Sequence, residues 1–260
     1  MRPPTAAIPR RAPVTISSLE GRNALVTGGS GGIGGAICDA LAEAGVSVAI
    51  HYASNRQLAE ERRARIASAG GQAIVVQADL GDAQAVTRLA TDVQDALGGC
   101  DILIANAATR SRFDLDGMTL SSWRDALEVN LTAPFLLTQQ FVPGMRQRGW
   151  GRLIYIGALA AFTGGISGPA YASSKAGLAG LAHSVAAAEA ARGITANVIS
   201  PGPIGGTGLN PDSDPDGLAA RVPVGRLGRP EEVAAMVLTA LRVGFLTNQV
   251  IELDGGMYPR

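Results

Sequence analysis

The sequence predicts a doubly wound parallel α/β sheet, and three observations carry that prediction. From Asn23 onward short apolar runs alternate with longer alanine-rich helical patterns, the alternation never breaks, and a glycine-rich turn follows the first apolar run. Strands covered by helices on both faces read as continuous apolar stretches, which is how these runs read. We therefore expect about seven strands in a single domain over residues 21–260, with helices on both sheet faces.

The strands are expected at Ala24 to Thr27, Val46 to His51, Ala73 to Gln77, Ile102 to Ala105, Leu153 to Gly157, Thr195 to Ile199 and Val250 to Leu253. Helices should begin near Gly32, Gln57, Ala83, Ser121, Ala170 and Pro230. At Pro230 the start is signalled by proline followed by Glu231 and Glu232, since proline suits the first turn and acids oppose the positive end of the helix dipole. The stretch Pro201 to Pro223, rich in Gly, Pro and Asp, is too long for an ordinary connection and is expected to be a functional lid or a disordered loop, with residues about 203–223 taken as the substrate loop. Residues 1–20 hold prolines and arginines but no continuous apolar core, and are expected to be a flexible tail; prolines also argue against a mitochondrial-type presequence.

With 22 basic and 22 acidic residues the chain offers no electrostatic footprint for nucleic acid or an anionic membrane, and no apolar stretch is long enough to span a bilayer. Cys38 and Cys100 lie in apolar segments without metal-ligand spacing and read as small core residues in a reducing cytoplasm, so no metal is expected. Small-molecule chemistry in the cytoplasm is the class that remains.

After the first strand runs TGGSGGIGGAI, Thr27 to Ile37, leading straight into a helix. Glycines 29, 31 and 34 satisfy G-x-G-x-x-G, while 28, 32 and 34 satisfy the wider G-x-x-x-G-x-G. Placed between strand and helix, such a turn lets backbone approach a pyrophosphate whose charge meets the helix N-terminus. A dinucleotide lacking a 2′-phosphate usually meets an acid at the end of the second strand. Here that strand ends VAIHYASNR, with no acid from Val46 to Leu58. Tyr52, Ser54, Asn55 and Arg56 are the residues expected at that end of the cofactor, and the donors among them, with the charge of Arg56, favour NADP(H) over NAD(H).

Tyr171 and Lys175, in YASSK, lie four apart in a helical segment and so share a face. An ammonium beside a tyrosine stabilises phenolate and makes the hydroxyl a usable acid or base near neutrality, which suits carbonyl chemistry. The pair gains specificity from its company: TGGSGGIG, Asn106 in IANAA, Asn130 in EVNL, Y-x-x-x-K, NVISPGPI and QVIELDGGMY, in that order. In this arrangement the chain resembles the short-chain dehydrogenase/reductase family from Leu19 to Tyr258, and looks closest to its 3-oxoacyl carrier-protein reductases.

That resemblance implies a Rossmann-type fold and assigns roles. Gly28, Ser30, Gly32, Ile33 and Gly34 would line the cofactor phosphates, Asp79 with Leu80 would meet the adenine, and Asn106 would lie near its ribose. Tyr171 would be the general acid in reduction, Lys175 would hold the nicotinamide ribose and lower the tyrosine pKa, and Asn130 would bend its helix and hold a relay water. Pro201, Gly202 and Ile204 would pack around the nicotinamide, with Thr207 a carboxamide partner displaced by one position. Subunit contacts of the family would make the chain a homo-oligomer, a tetramer, acting on a small-molecule substrate, free or carrier-bound.

Two departures stand out. The family pattern N-N-A-G is replaced by Ala105, Asn106, Ala107 and Ala108. The family's catalytic serine stands thirteen residues before the tyrosine, and that position is Ala158. Either Thr163 or Ser167 replaces its hydroxyl, or the substrate, an imine, activated ketone or enone, needs less help at its oxygen. The expectation is an NADP(H)-dependent oxidoreductase acting on a carbonyl or related unsaturated carbon; a non-redox catalyst of the same fold and a low-turnover cofactor-binding protein are the alternatives.

Overall fold

The architecture comes from a computed structural model that describes residues 16–110, 114–164, 167–208, 214 and 217–258. Seven strands form one sheet: β1 (Asn23–Val26), β2 (Ser47–Tyr52), β3 (Ala73–Gln77), β4 (Ile102–Ala105), β5 (Gly151–Ile156), β6 (Ile194–Pro201) and β7 (Val250–Leu253), in the order β3-β2-β1-β4-β5-β6-β7. Every pairing is parallel. The helices are α1 (Gly32–Glu43), α2 (Arg56–Ser68), α3 (Ala83–Leu97), α4 (Leu120–Leu127), α5 (Ala133–Arg148), α6 (Ala160–Thr163), α7 (Pro169–Glu189) and α8 (Pro230–Arg242).

The apolar runs are buried on both sides because successive residues point to opposite faces. Leu25, Leu103, Leu153 and Tyr155 join the core with α3, α5 and α7, through residues such as Val86, Leu137 and Leu178. Val26, Ile104, Ile154 and Ile156 join the opposite core with α1 and α8, through Ile37, Leu41, Val233 and Val237. Each such fully buried aliphatic side chain contributes roughly 1.5–3 kcal/mol, so the sheet is held from both faces.

Boundaries move by a few residues, for reasons visible in the turns. The first strand ends at Val26 because the Thr27 hydroxyl serves the turn beyond it: Thr27 Oγ1 accepts from the amides of Asn106 (2.9 Å) and Ala107 (3.0 Å). α2 starts at Arg56, since Asn55 Oδ1 accepts from the Leu58 amide. Asp82 caps α3, accepting from the Gln84 amide. Between α4 and α5 the chain widens into a π-helical turn, Glu128–Thr132, instead of running on as one α-helix. The expected tail lies outside the described residues up to position 15, as does most of the loop segment 209–216.

The direction of winding reverses between β1 and β4, because the chain builds outward from β1 through β2 and β3 and then returns to pair β4 on the other side. The crevice at the carboxyl ends of those two strands is where ligands bind in open sheets of this kind. The Thr27 bonds tie the ends of β1 and β4 together at that crevice.

Candidate active site

A cavity of about 1090 Å³ opens at the carboxyl ends of the strands and takes in the glycine turn, the β4 exit, α7 and the chain after β6. Gly28 begins the turn at φ +64°, a left-handed conformation suited to glycine. A Cβ at Gly34 would collide with the Gly28 carbonyl and come within 2.6 Å of Asn106 Nδ2, and one at Gly32 would come within 2.8 Å of Gly206 O. The backbones therefore approach as closely as a pyrophosphate cradle requires. α1 starts at this point with no side-chain cap and no acid in its first turn, leaving its amides to a ligand of negative charge. The residues present fit a dinucleotide cofactor.

Asn106 braces the cradle, its Nδ2 donating to Thr27 O (2.9 Å) and Gly28 O (3.3 Å). The other brace is His51, which sequence reasoning passed over. Its Nδ1 accepts from the Gly28 amide (3.0 Å) and its Nε2 lies 3.1 Å from Ala78 O, so the ring carries its proton on Nε2. Burial lowers its pKa to about 4, against the opposing bond to Ala78, and holds it neutral beside the cradle. A lone histidine in an apolar strand carries no signal of this role in sequence; only the β2–β3 register, His51 opposite Val76, shows it.

Ser30, Ile33, Ser54, Asn55, Asp79 and Leu80 all line the cavity. Tyr52 and Arg56 do not: Tyr52 is packed in the core beneath β2, and Arg56 lies out in solvent, its guanidinium 3.8 Å from Glu60. Asp79 Oδ1 accepts from the Gly81 amide, turning the chain after β3. Pro201, Gly202, Ile204 and Thr207 form the wall that faces α7, where Thr207 Oγ1 donates to Ile204 O.

α7 begins at Pro169, after Gly168 at φ +79°, and puts Tyr171 and Lys175 one turn apart, both buried, on that cavity. Lys175 Nζ donates to Ile156 O (2.6 Å) at the end of β5, 5.8 Å from the Tyr171 ring centre. Burial brings the lysine pKa down to about 8. The tyrosine is not acidified as expected: burial raises its pKa, and the charge that opposes the rise belongs to Arg110, not Lys175. A desolvated ammonium that begins to lose its proton near pH 8 is a weak partner for a phenolate.

Asn130 sits in the π-helical turn, wholly buried, and its amide is fully used. Oδ1 accepts from the Thr109 amide (2.8 Å), while Nδ2 donates to Thr109 O (2.9 Å) and Ser174 Oγ (3.0 Å). It therefore ties the β4 exit to α7.

Ala158 lines the cavity just past β5. Immediately after it the short helix α6 folds the chain back, and Thr163 and Ser167 reach the same cavity. The four-residue helix is what returns them. Thr163 Oγ1 donates to Leu159 O (3.3 Å), and Ser167 is buried.

The short chain dehydrogenase family matches residues 22–217. An acetoacetyl-CoA reductase of Rhizobium meliloti is 38% identical over 242 residues, 91% of this chain and 98% of its own length. A 3-oxoacyl-[acyl-carrier-protein] reductase of Synechocystis sp. is 34% identical over 93% of this chain and 99% of its own. Among solved structures, the blue fluorescent protein from a metagenomic library, in complex with NADPH, superposes with a TM-score of 0.87 at 33% identity, covering 94% of this chain and all of its own.

Proposed function

Because the chain belongs to the short-chain dehydrogenase family, we propose that it is an NADP(H)-dependent reductase of a carbonyl or related unsaturated carbon, working through Tyr171 and Lys175 without the family's serine. The observation that carries this reading is the shared cavity: a glycine cradle fit for a dinucleotide and a buried Tyr-Lys pair open onto the same space.

A reduced nicotinamide bound there supplies the hydride. Pro201, Gly202 and Ile204 would hold the nicotinamide end of the cofactor, and a substrate in the same cavity would bring its oxygen to the Tyr171 hydroxyl. Burial keeps that hydroxyl protonated at neutral pH, so it enters the reaction as an acid and donates its proton to the oxygen as charge develops there. Lys175, poised near pH 8, returns a proton to the phenolate. Asn130 holds the wall opposite by gripping Thr109.

The preference for NADP(H) is supported by the absence of an acid at the β2 exit, where Ser54 and Asn55 line the cavity. The small-molecule substrate, free or carrier-bound, enters from the loop side, past Leu218 and Met257. The test is nicotinamide absorbance with a panel of ketones, imines and enones, and dissociation constants for both cofactors. NADPH is expected to bind at least about tenfold more tightly than NADH, a difference of about 1.4 kcal/mol. Tyr171→Phe is expected to cut turnover by about 10²–10⁴-fold while NADPH binding holds. Full activity in Tyr171→Phe overturns the mechanism and leaves a non-redox or binding role ahead.

A further inference from the structure

The chain has two histidines, and they stand in opposite settings. His183 is exposed on α7, beside Asn248. His51, at the carboxyl end of β2, is 1% exposed, and its ring reaches the wall of the cavity. Neither the hydride step nor the proton step proposed above uses it. A polar ring buried this completely is costly unless both nitrogens find partners. Both do, on backbone from two different strand exits: Nδ1 accepts from the Gly28 N–H beyond β1, and Nε2 donates to Ala78 O beyond β3.

The bond to Gly28 completes the fixing of one peptide plane. The Thr27–Gly28 peptide has its N–H on His51 Nδ1 and its carbonyl, Thr27 O, on Asn106 Nδ2, so it is pinned from both sides. The next amide is held by the same residue, since the Gly29 N–H donates to His51 O (2.9 Å). Here the chain turns at φ +64°, and the Gly28 carbonyl packs so closely on Gly34 of α1 that no Cβ fits between them. A rotation of that plane would therefore be felt at the first turn of α1, where the phosphate cradle lies. At its far end the ring is mounted on the paired strands β2 and β3, because Ala78 is tied to β2 a second time through its own N–H on Tyr52 O (3.3 Å). With Nε2 donating to Ala78 O, the Nδ1 lone pair is left for Gly28, and burial keeps a second proton from cancelling it.

Resting on the dinucleotide reading above, we propose that His51 is a positioning residue of the cofactor site: by accepting from the Gly28 N–H it holds the shape of the phosphate cradle, and so sets affinity for the pyrophosphate and not for the adenosine. That division follows from the two anchors. The Thr27–Gly28 plane leads into the glycine turn, whereas Asp79 and Leu80, at the adenine end, follow Ala78, which keeps its bond to Tyr52 whatever the ring does.

Two substitutions separate the two bonds. Asparagine puts its Oδ1 close to the place of the ring Nδ1, and glutamine puts its amide nitrogen close to the place of Nε2. The full-length protein is titrated with NADP⁺ and with adenosine 2′-monophosphate, which carries the adenosine half without a pyrophosphate. His51→Gln, which loses the acceptor for Gly28, is expected to weaken NADP⁺ about tenfold or more and adenosine 2′-monophosphate less than about threefold. His51→Asn, which keeps the acceptor, should bind NADP⁺ within about threefold of the unaltered protein. Adenosine 2′-monophosphate serves as the check that each variant is folded. If His51→Gln does not fold, NMR of the ring nitrogens in the unaltered protein decides, with only two histidines to resolve. It is expected to show His51 protonated on Nε2, with the Nδ1 signal moving on addition of NADP⁺ and holding still with adenosine 2′-monophosphate. Protonation on Nδ1, or a signal indifferent to NADP⁺, overturns the proposal. So does NADP⁺ affinity that survives His51→Gln, or a loss shared equally by the two variants or by the two ligands. An unaltered protein that binds neither NADP⁺ nor NAD⁺ overturns the dinucleotide reading instead, and the role of His51 falls with it.

Discussion

At position 158 a methyl group lines the cavity that holds Tyr171 and Lys175. A donor aimed at developing oxyanion charge is worth about 2.7–4 kcal/mol in a transition state. Ala158→Ser is therefore expected to raise turnover of a simple ketone by about 10-fold or more, a gain bounded by that energy. The paired measurement is Thr163→Val with Ser167→Ala. Because the Thr163 hydroxyl is engaged with Leu159 O, a loss of activity in this pair would trace to Ser167 and mark it as a relocated donor. If the pair leaves activity alone while Ala158→Ser creates ketone reduction, the site works without a hydroxyl at this place. Lys175 carries a second prediction at the same scale. Its folded pKa, about 8, lies below its ordinary value of 10.5, so the unfolded chain binds more protons between those two pH values and stability rises across that window as the burial penalty is relieved. Compared with Lys175→Met, the unaltered protein should gain on the order of 3 kcal/mol between pH 7.5 and 10.5, read by denaturant unfolding at both.

Among the elements, the π-helical turn Glu128–Thr132 does the most to position the site, because it aims Asn130 at two partners on separate elements. Asn130→Ala takes the side-chain partner from the Thr109 N–H and C=O and one donor from the Ser174 hydroxyl, which still donates to Tyr171 O, and should cost about 1–3 kcal/mol of stability. It should also raise the KM for the carbonyl more than it weakens NADPH, since Asn106, at the cradle end of the same segment, keeps its own bonds to Thr27 O and Gly28 O while Thr109 loses the side-chain amide that grips it; an equal loss of both would mean that Asn130 acts through global stability alone. Of this geometry only the bend at Asn130 was expected, and that from the family resemblance and not from periodicity. Apolar periodicity located all seven strands, β3, β4 and β7 to the residue and the other four with ends off by one or two, because burial on both faces leaves continuous runs such as ILIA and AIVVQ. A single widened turn leaves the same periodicity almost untouched, so the π segment stayed hidden inside a predicted helix. α6 escaped for the opposite reason, being four residues long beside a glycine-rich stretch. Of the candidate site, residues with distinctive chemistry or spacing were readable, Tyr171, Lys175 and the glycines above all. Arg110 and His51 were not, since one is a cation in a loop and the other a histidine in a core strand, and each gains its place from a partner distant in the chain.

At the scale of the whole molecule the sheet leaves two edges, β3 and β7, and the β7 edge is half-buried along its length. Just before it, in the loop from α8, Phe245 stands 99% exposed. On another surface Leu120 and Phe135, from α4 and α5, are exposed as well. An open edge with an aromatic ring beside it is a liability that a closed symmetric assembly removes, and small alanine-rich helices such as α7 allow close approach between copies. A homotetramer is expected, and light scattering at micromolar concentration checks it; a monomer mass would sink the idea. Phe245→Asp should then convert the tetramer to dimers. The consequence should reach the active site, because the chain leaving β7 runs straight to it: Met257 lines the cavity, Tyr258 stacks on Phe162 of α6 with ring centres 5.8 Å apart, and Asp254 holds the turn by accepting from the Gly256 and Tyr258 amides. Loosening the β7 edge therefore loosens the substrate wall while the glycine cradle, anchored at β1 and β4, stays put. In the Phe245→Asp dimer the substrate KM should rise several-fold, about 1 kcal/mol or less, with the NADPH dissociation constant unchanged. Dimers with an unaltered KM would show that assembly and catalysis are independent in this protein.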